Sequence, residues 1–160
     1  MAGFQIVIKD EAIRARLKKL EAATGNLLPV LRSGGQVMMT SVRKNFEVGG
    51  RPKWQPLSAV TANSPIGKKG SRLRGYTPIL HVRGFLKNVT LRVTKDQAIL
   101  GTAPNTKDYA ARQQFGWPGG GKRYGGKVKT PARPFMLLQA EDRQEILAVL
   151  DKHIEDAMTK

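Results

Sequence analysis

The chain has 160 residues and no cysteine, and its 28 Lys plus Arg against 12 Asp plus Glu give a formal net charge of +16. That length suits one domain, and the lack of thiols excludes a disulfide framework or a thiolate metal site. With 40% hydrophobic residues, 17 Gly and 9 Pro, a thin core and many loops are expected, while the excess of positive charge implies an acidic partner.

The N-terminal run Met1 to Lys9 is short and meets Asp10 and Glu11, so it does not read as a secretory signal. No apolar run approaches the roughly 20 residues needed to span a bilayer. A soluble chain made in the cytoplasm, without a membrane partner, is expected. Phe4 to Ile8, rich in β-branched residues, predicts a short strand. Ile13, Leu17 and Leu20 then fall at helical spacing, and Thr24-Gly25-Asn26 ends that helix.

Leu27 to Phe46 carries Leu28, Leu31, Val37, Met38, Val42 and Phe46 at roughly helical spacing, with Pro29 tolerable in a first turn. Gly34-Gly35 predicts a kink or break there, because each glycine costs about 1 kcal/mol relative to Ala inside a helix. From Val48 to Tyr76 glycines and prolines erase any period, which predicts a long arm at about 48–78. A short helix is expected around Gly84-Phe-Leu-Lys87. Val89–Thr94 and Ala98–Thr102, joined by Lys95-Asp96-Gln97, read as a β-hairpin.

Asp108 to Phe115 predicts one or two helical turns, and the Gly/Lys/Arg stretch at 116–130 predicts a second arm. Glu141 to Met158, with Ile146, Leu150, Ile154 and Ala157, is the clearest amphipathic helix. The expected architecture is α+β, one domain over residues 1–160. A small antiparallel sheet packs with a long helix in the N-terminal half and a C-terminal helix, and the two basic arms project from it.

The charge is segregated. No acid lies between Glu47 and Asp96, or from Tyr109 to Ala140, and both intervals are rich in Lys and Arg. Such arms are either solvated loops or contacts to DNA phosphates or an acidic protein ring. The candidate contact residues are Arg51, Lys53, Trp54, Lys68, Lys69, Arg72, Arg74, Lys122, Arg123, Lys127 and Lys129. Trp54, Tyr76, Trp117 and Tyr124 are interleaved with them. The tryptophans suit stacking or anchoring in a partner, and equally suit tucking each arm against its own domain.

Catalytic readings fail on their details. Gly116-Trp-Pro-Gly-Gly-Gly-Lys122 matches the start of a phosphate-binding loop, but Arg123 stands where a Ser or Thr hydroxyl must hold Mg²⁺. His81 and His153 are far apart in sequence, and Asp96 and Asp108 are the only acids between Glu47 and Glu141, too few for a metal-dependent nuclease. No enzyme activity, cofactor, metal or small-molecule ligand is expected.

Several landmarks in order resemble the phage virion morphogenesis, or tail-completion, family of Mu-like tailed phages. They are Phe46, Gly50-Arg-Pro-Lys-Trp-Gln-Pro-Leu57, Ile79-Leu-His-Val-Arg-Gly-Phe-Leu-Lys-Asn88, Ala98-Ile-Leu-Gly-Thr102, Tyr109-Ala-Ala-Arg-Gln-Gln-Phe-Gly116 and Pro131-Ala-Arg-Pro-Phe135. The resemblance implies a non-enzymatic virion protein that closes the head-proximal end of the tail and joins it to the head. It would be assembled in the host cytoplasm and sit at the head–tail junction as a homo-oligomeric ring, a hexamer. The implied partners are the tail terminator or tail tube, the head connector or stopper, and genomic DNA in the channel. The charge alone equally suits a basic DNA-binding protein of phage or nucleoid type.

Overall fold

The computed structural model describes residues 9–57, 86, 88–103, 106–118 and 130–159. The expected strand at Phe4–Ile8, most of the expected short helix around Gly84, and residues 58–78 and 119–129 of the two expected arms lie outside these residues. Among the described residues the architecture is α+β, with four helices and one two-stranded antiparallel sheet.

Asp10 starts the first helix, α1 (Glu11–Thr24), by accepting hydrogen bonds from the backbone N–H groups of Ala12 and Ile13 at 3.0 and 3.1 Å. Gly25, at φ 63°, ends it in the left-handed conformation that a side chain disfavours. The second helix, α2 (Leu28–Val48), follows with proline in its first turn and Gly49 as its C-cap. The hairpin pairs β1 (Val89–Val93) with β2 (Ala98–Thr102) in the register Leu91 opposite Leu100. A short helix, α3 (Lys107–Phe115), and a long C-terminal one, α4 (Ala140–Met158), complete the described fold.

Two ion pairs fix how α1 lies on α4. Arg143 donates to the Asp10 carboxylate, and Arg16 Nε donates to Asp151 Oδ1 at 2.6 Å. The pairs occur in the same order along both helices, so α1 and α4 run side by side in one direction. The Arg143 hydrogen bond and the capped N–H groups hold the Asp10 carboxyl below its ordinary value. Both pairs are partly open to solvent, so apolar burial does most of the stabilising. Leu20, Leu27, Val30, Val37, Ile146, Leu150 and Ile154 form that helical core.

A second cluster sits under the hairpin: Val42, Trp54, Leu86, Val89, Ala110, Phe135 and Met136, with Phe46 and Leu100 against it. Phe46 bridges Trp54 and Phe135 at ring-centroid distances of 5.7 and 5.4 Å. One element serves both clusters, since α2 gives Val30 and Val37 to the first and Val42 to the second.

That shared role corrects the expected break at Gly34-Gly35. The helix runs uninterrupted from Leu28 to Val48. Gly35 is buried, and a Cβ added there would lie 2.5 Å from Leu91 Cδ1, whereas one at Gly34 meets nothing nearer than 3.9 Å. The glycine that looks like a helix breaker is the place where the hairpin rests on the helix. Replacing Gly34 with Ala is expected to stabilise the protein by roughly 0.5–1 kcal/mol through helix propensity. Gly35→Ala should forfeit that gain because Leu91 must shift. Urea denaturation of the two variants checks this, and equal stabilisation by both would show that Leu91 yields freely.

Candidate interaction surface

The residues expected to touch partners divide sharply once their surroundings are known. Arg51 reaches inward with its side chain 17% exposed. Its Nε donates to Asn45 Oδ1 at 2.8 Å, Nη1 to Glu141 Oε1 at 2.5 Å, and Nη2 to the Ser41 hydroxyl and carbonyl oxygens at 2.6 and 3.1 Å. Ser41 Oγ in turn donates to Asp142 Oδ2, and Asn45 Nδ2 donates to the Phe135 carbonyl at 2.9 Å. Gln139 closes the knot from the other side, its amide donating to the Arg51 carbonyl while its carbonyl and the Asp142 carboxylate form a capping box for α4. Hydrogen-bonded to its own backbone N–H, and beside the guanidinium, Glu141 has its carboxyl held below the usual range.

Trp54 is 6% exposed, packs in the hairpin cluster and donates from Nε1 to the Pro134 carbonyl at 3.0 Å. It therefore follows the alternative in which the tryptophan tucks its segment against the domain. The turn after α2, read as the start of an arm, is fastened down by these two side chains as far as residue 57. Lys53 is exposed, with its ammonium on the Val48 carbonyl. Lys68, Lys69, Arg72, Arg74, Lys122, Arg123, Lys127 and Lys129 lie outside the described residues.

A second latch positions α3. Gln114 Nε2 donates to the Met136 carbonyl at 2.9 Å, and its Oε1 accepts from the Phe135 and Met136 N–H groups at 3.0 and 3.1 Å. The side chain thus satisfies a stretch of backbone that no strand covers. Arg133 is buried beside it, reaching the Gln55 carbonyl and Gln113 Oε1 only at 3.4 Å, and burial lowers its pKa.

With its inner face pinned in this way, α3 presents aromatics outward. Tyr109, Phe115 and Trp117 are large and exposed, Phe115 by 68% and Trp117 by 43%. The Arg112 guanidinium stacks over the Trp117 ring at 4.6 Å from its centroid. Trp117 also exchanges two 2.9 Å backbone hydrogen bonds with Thr130, which pinches the base of the second basic stretch. Gly116 allows that approach, because a Cβ there would come within 3.0 Å of the Thr130 carbonyl. A shallow cleft lined by Gln55, Phe115, Trp117 and Thr130–Ala132 lies alongside.

In the sequence, Tyr109 to Gly116 reads as a family landmark rather than as an exposed face, and Ser41 and Asn45 carry no functional reading. The available signal was two small polar residues four apart beside Val42 and Phe46 on the apolar stripe of α2.

Elsewhere an apolar groove of about 360 Å³ runs between α1, α2, α4 and the hairpin, with Leu17, Val30, Met38, Leu91, Leu100 and Ile146 among its walls. Among the described residues no three His, Asp or Glu converge as metal ligands, and no helix is long and apolar enough to cross a membrane.

Because removing Arg51 leaves the buried Asn45 side-chain carbonyl without its donor and takes away the guanidinium that lies 4.0 Å from the buried Asp142 carboxylate, Arg51→Ala is expected to cost roughly 2–4 kcal/mol of stability. Arg51→Lys should recover little of it, as an ammonium cannot make the forked contacts. Thermal and urea unfolding check both, and near-native stability of either variant would refute the knot's role.

Comparison with known proteins matches this sequence. The profile of the phage virion morphogenesis family matches residues 8–155. The "Mu-like prophage FluMu G protein 2" of Haemophilus influenzae is 32% identical over 145 residues, covering 91% of each chain. No solved structure gives a significant match. The chain belongs to the phage virion morphogenesis family and is a structural protein of phage virion assembly.

Proposed function

We propose that this protein completes the head-proximal end of the phage tail and joins tail to head, as a non-enzymatic ring at the neck of the virion. The observation that carries the reading is the exposed aromatic and guanidinium face of α3, held on a scaffold whose polar knots leave it little freedom to move. Trp, Tyr and Arg in one exposed patch are the residues that dominate protein–protein contacts. Family membership and the relative of the Mu-like prophage support a place in the particle. The segregated basic stretches supply a complement to an acidic connector face or to DNA in the channel.

The direct test is electron microscopy of lysates from a phage lacking this gene. DNA-filled heads beside unattached tails are expected, and joined particles at normal frequency would sink the reading. Gln at Lys68, Lys69, Arg72, Arg74, Lys122, Arg123, Lys127 and Lys129 should lower the joined fraction without lowering the melting temperature. The net charge of +16 also favours a basic DNA-binding protein of phage or nucleoid type. That reading requires duplex affinity falling steeply with salt, in proportion to the phosphates neutralised, whereas docking through an aromatic core should lose less.

A further inference from the structure

Acid is as unevenly distributed as base. Of the 12 acids, six lie in α4, which holds only Arg143 and Lys152 against them, a formal −4 on a chain of +16. Three of the six are committed within the chain, Glu141 to Arg51, Asp142 to Ser41 and Asp151 to Arg16. The other three, Glu145, Glu155 and Asp156, are exposed and have no ion pair among the described residues.

Glu155 and Asp156 are also at the wrong end of their helix. The C-terminal turn of a helix carries partial negative charge, which favours cations, yet the last turn of α4 has no basic residue. Beside them Met158 is 72% exposed. The end of α4 is therefore an acidic and apolar knob with no ion pair among the described residues. The face of α3 is its opposite, with Arg112, Phe115 and Trp117 exposed in an interval from Tyr109 to Ala140 that contains no acid.

We propose that copies of this chain join head to tail, the C-terminal end of α4 of one copy seating on the Arg112–Trp117 face of the next. The proposal rests on the assembly reading above and names the contact that builds the ring. Charge decides which faces pair. A two-fold pairing of like faces would set guanidinium against guanidinium or carboxylate against carboxylate, whereas the heterologous pairing sets each against its opposite. Heterologous contacts propagate around a ring or along a filament, which suits a component of a tubular particle. Met158 against the aromatic rings adds a sulfur–aromatic contact at the centre of the patch.

The test uses the full chain and two variants, each with one face disabled. The first carries Arg112→Glu and Trp117→Ala, and the second carries Glu155→Gln and Asp156→Asn. Native mass spectrometry and light scattering at rising concentration should find oligomers of the wild type and at least tenfold weaker self-association of each variant alone. Mixed, the two variants should form a 1:1 heterodimer that grows no further, because each retains one working face. If the first variant fails to fold by circular dichroism, Arg112→Glu alone replaces it.

Self-association unchanged in either variant, no heterodimer on mixing, or a wild type that stays monomeric throughout would overturn the proposed contact. These failures are distinct from failure of the assembly reading. Unattached heads and tails in the gene-deleted phage would leave that reading standing while the α3–α4 contact fell.

Discussion

One guanidinium holds together parts of the chain that are far apart in sequence. Arg51 lies just past the end of α2, yet it reaches back to Ser41 and Asn45 on that helix and across to Glu141 at the start of α4. Asn45 passes the connection on to the Phe135 carbonyl, and Gln139 returns it to the Arg51 backbone. Most of this network lies in partial or full burial, where each donor and acceptor needs its partner and an orphaned carboxylate is costly. A buried ionic network is weak evidence of high stability and stronger evidence of a single defined arrangement, here the crossing of α2 with the N-terminus of α4.

Everything outward depends on that arrangement. The crossing places Phe46, Trp54 and Phe135 in contact, and the Phe135–Met136 backbone is then the strip that Gln114 grips to fix α3. Because α3 is anchored through its glutamines, its exposed aromatics face away from the domain. The second basic stretch starts and ends at the Trp117–Thr130 bridge on the same edge. The body thus has an aromatic, basic edge at α3 and an acidic end at α4.

The helices and the hairpin were legible from the sequence because they depend on local pattern. The apolar stripes of α1 and α4, the Gly25 stop and the hairpin over Val89 to Thr102 are all set by neighbours within a few residues. Gly34-Gly35 misled for the converse reason. Its meaning lies in Leu91, more than fifty positions away, and local propensity cannot register such a contact. Arg51 and Trp54 stand in a basic, loop-like stretch of sequence, and among the described residues that stretch is indeed irregular. Their inward orientation follows from Asn45, Glu141 and Pro134, which only the tertiary fold brings near. The exposed aromatic face of α3 is hidden in the same way, since an aromatic in a short helix reads as core until both sides of the helix are known.

Assembly should therefore bury the outside of this scaffold and leave its inside unchanged. Hydrogen–deuterium exchange of the protein, free and then within purified tails, tests that division most directly. The account expects added protection over residues 109–117 and 145–158, with residues 41–54 exchanging alike in both states. Protection gained mainly at 41–54, with 109–117 unchanged, would mean that the Arg51 knot is remodelled on assembly and that the α3 face is not where this protein meets its partners.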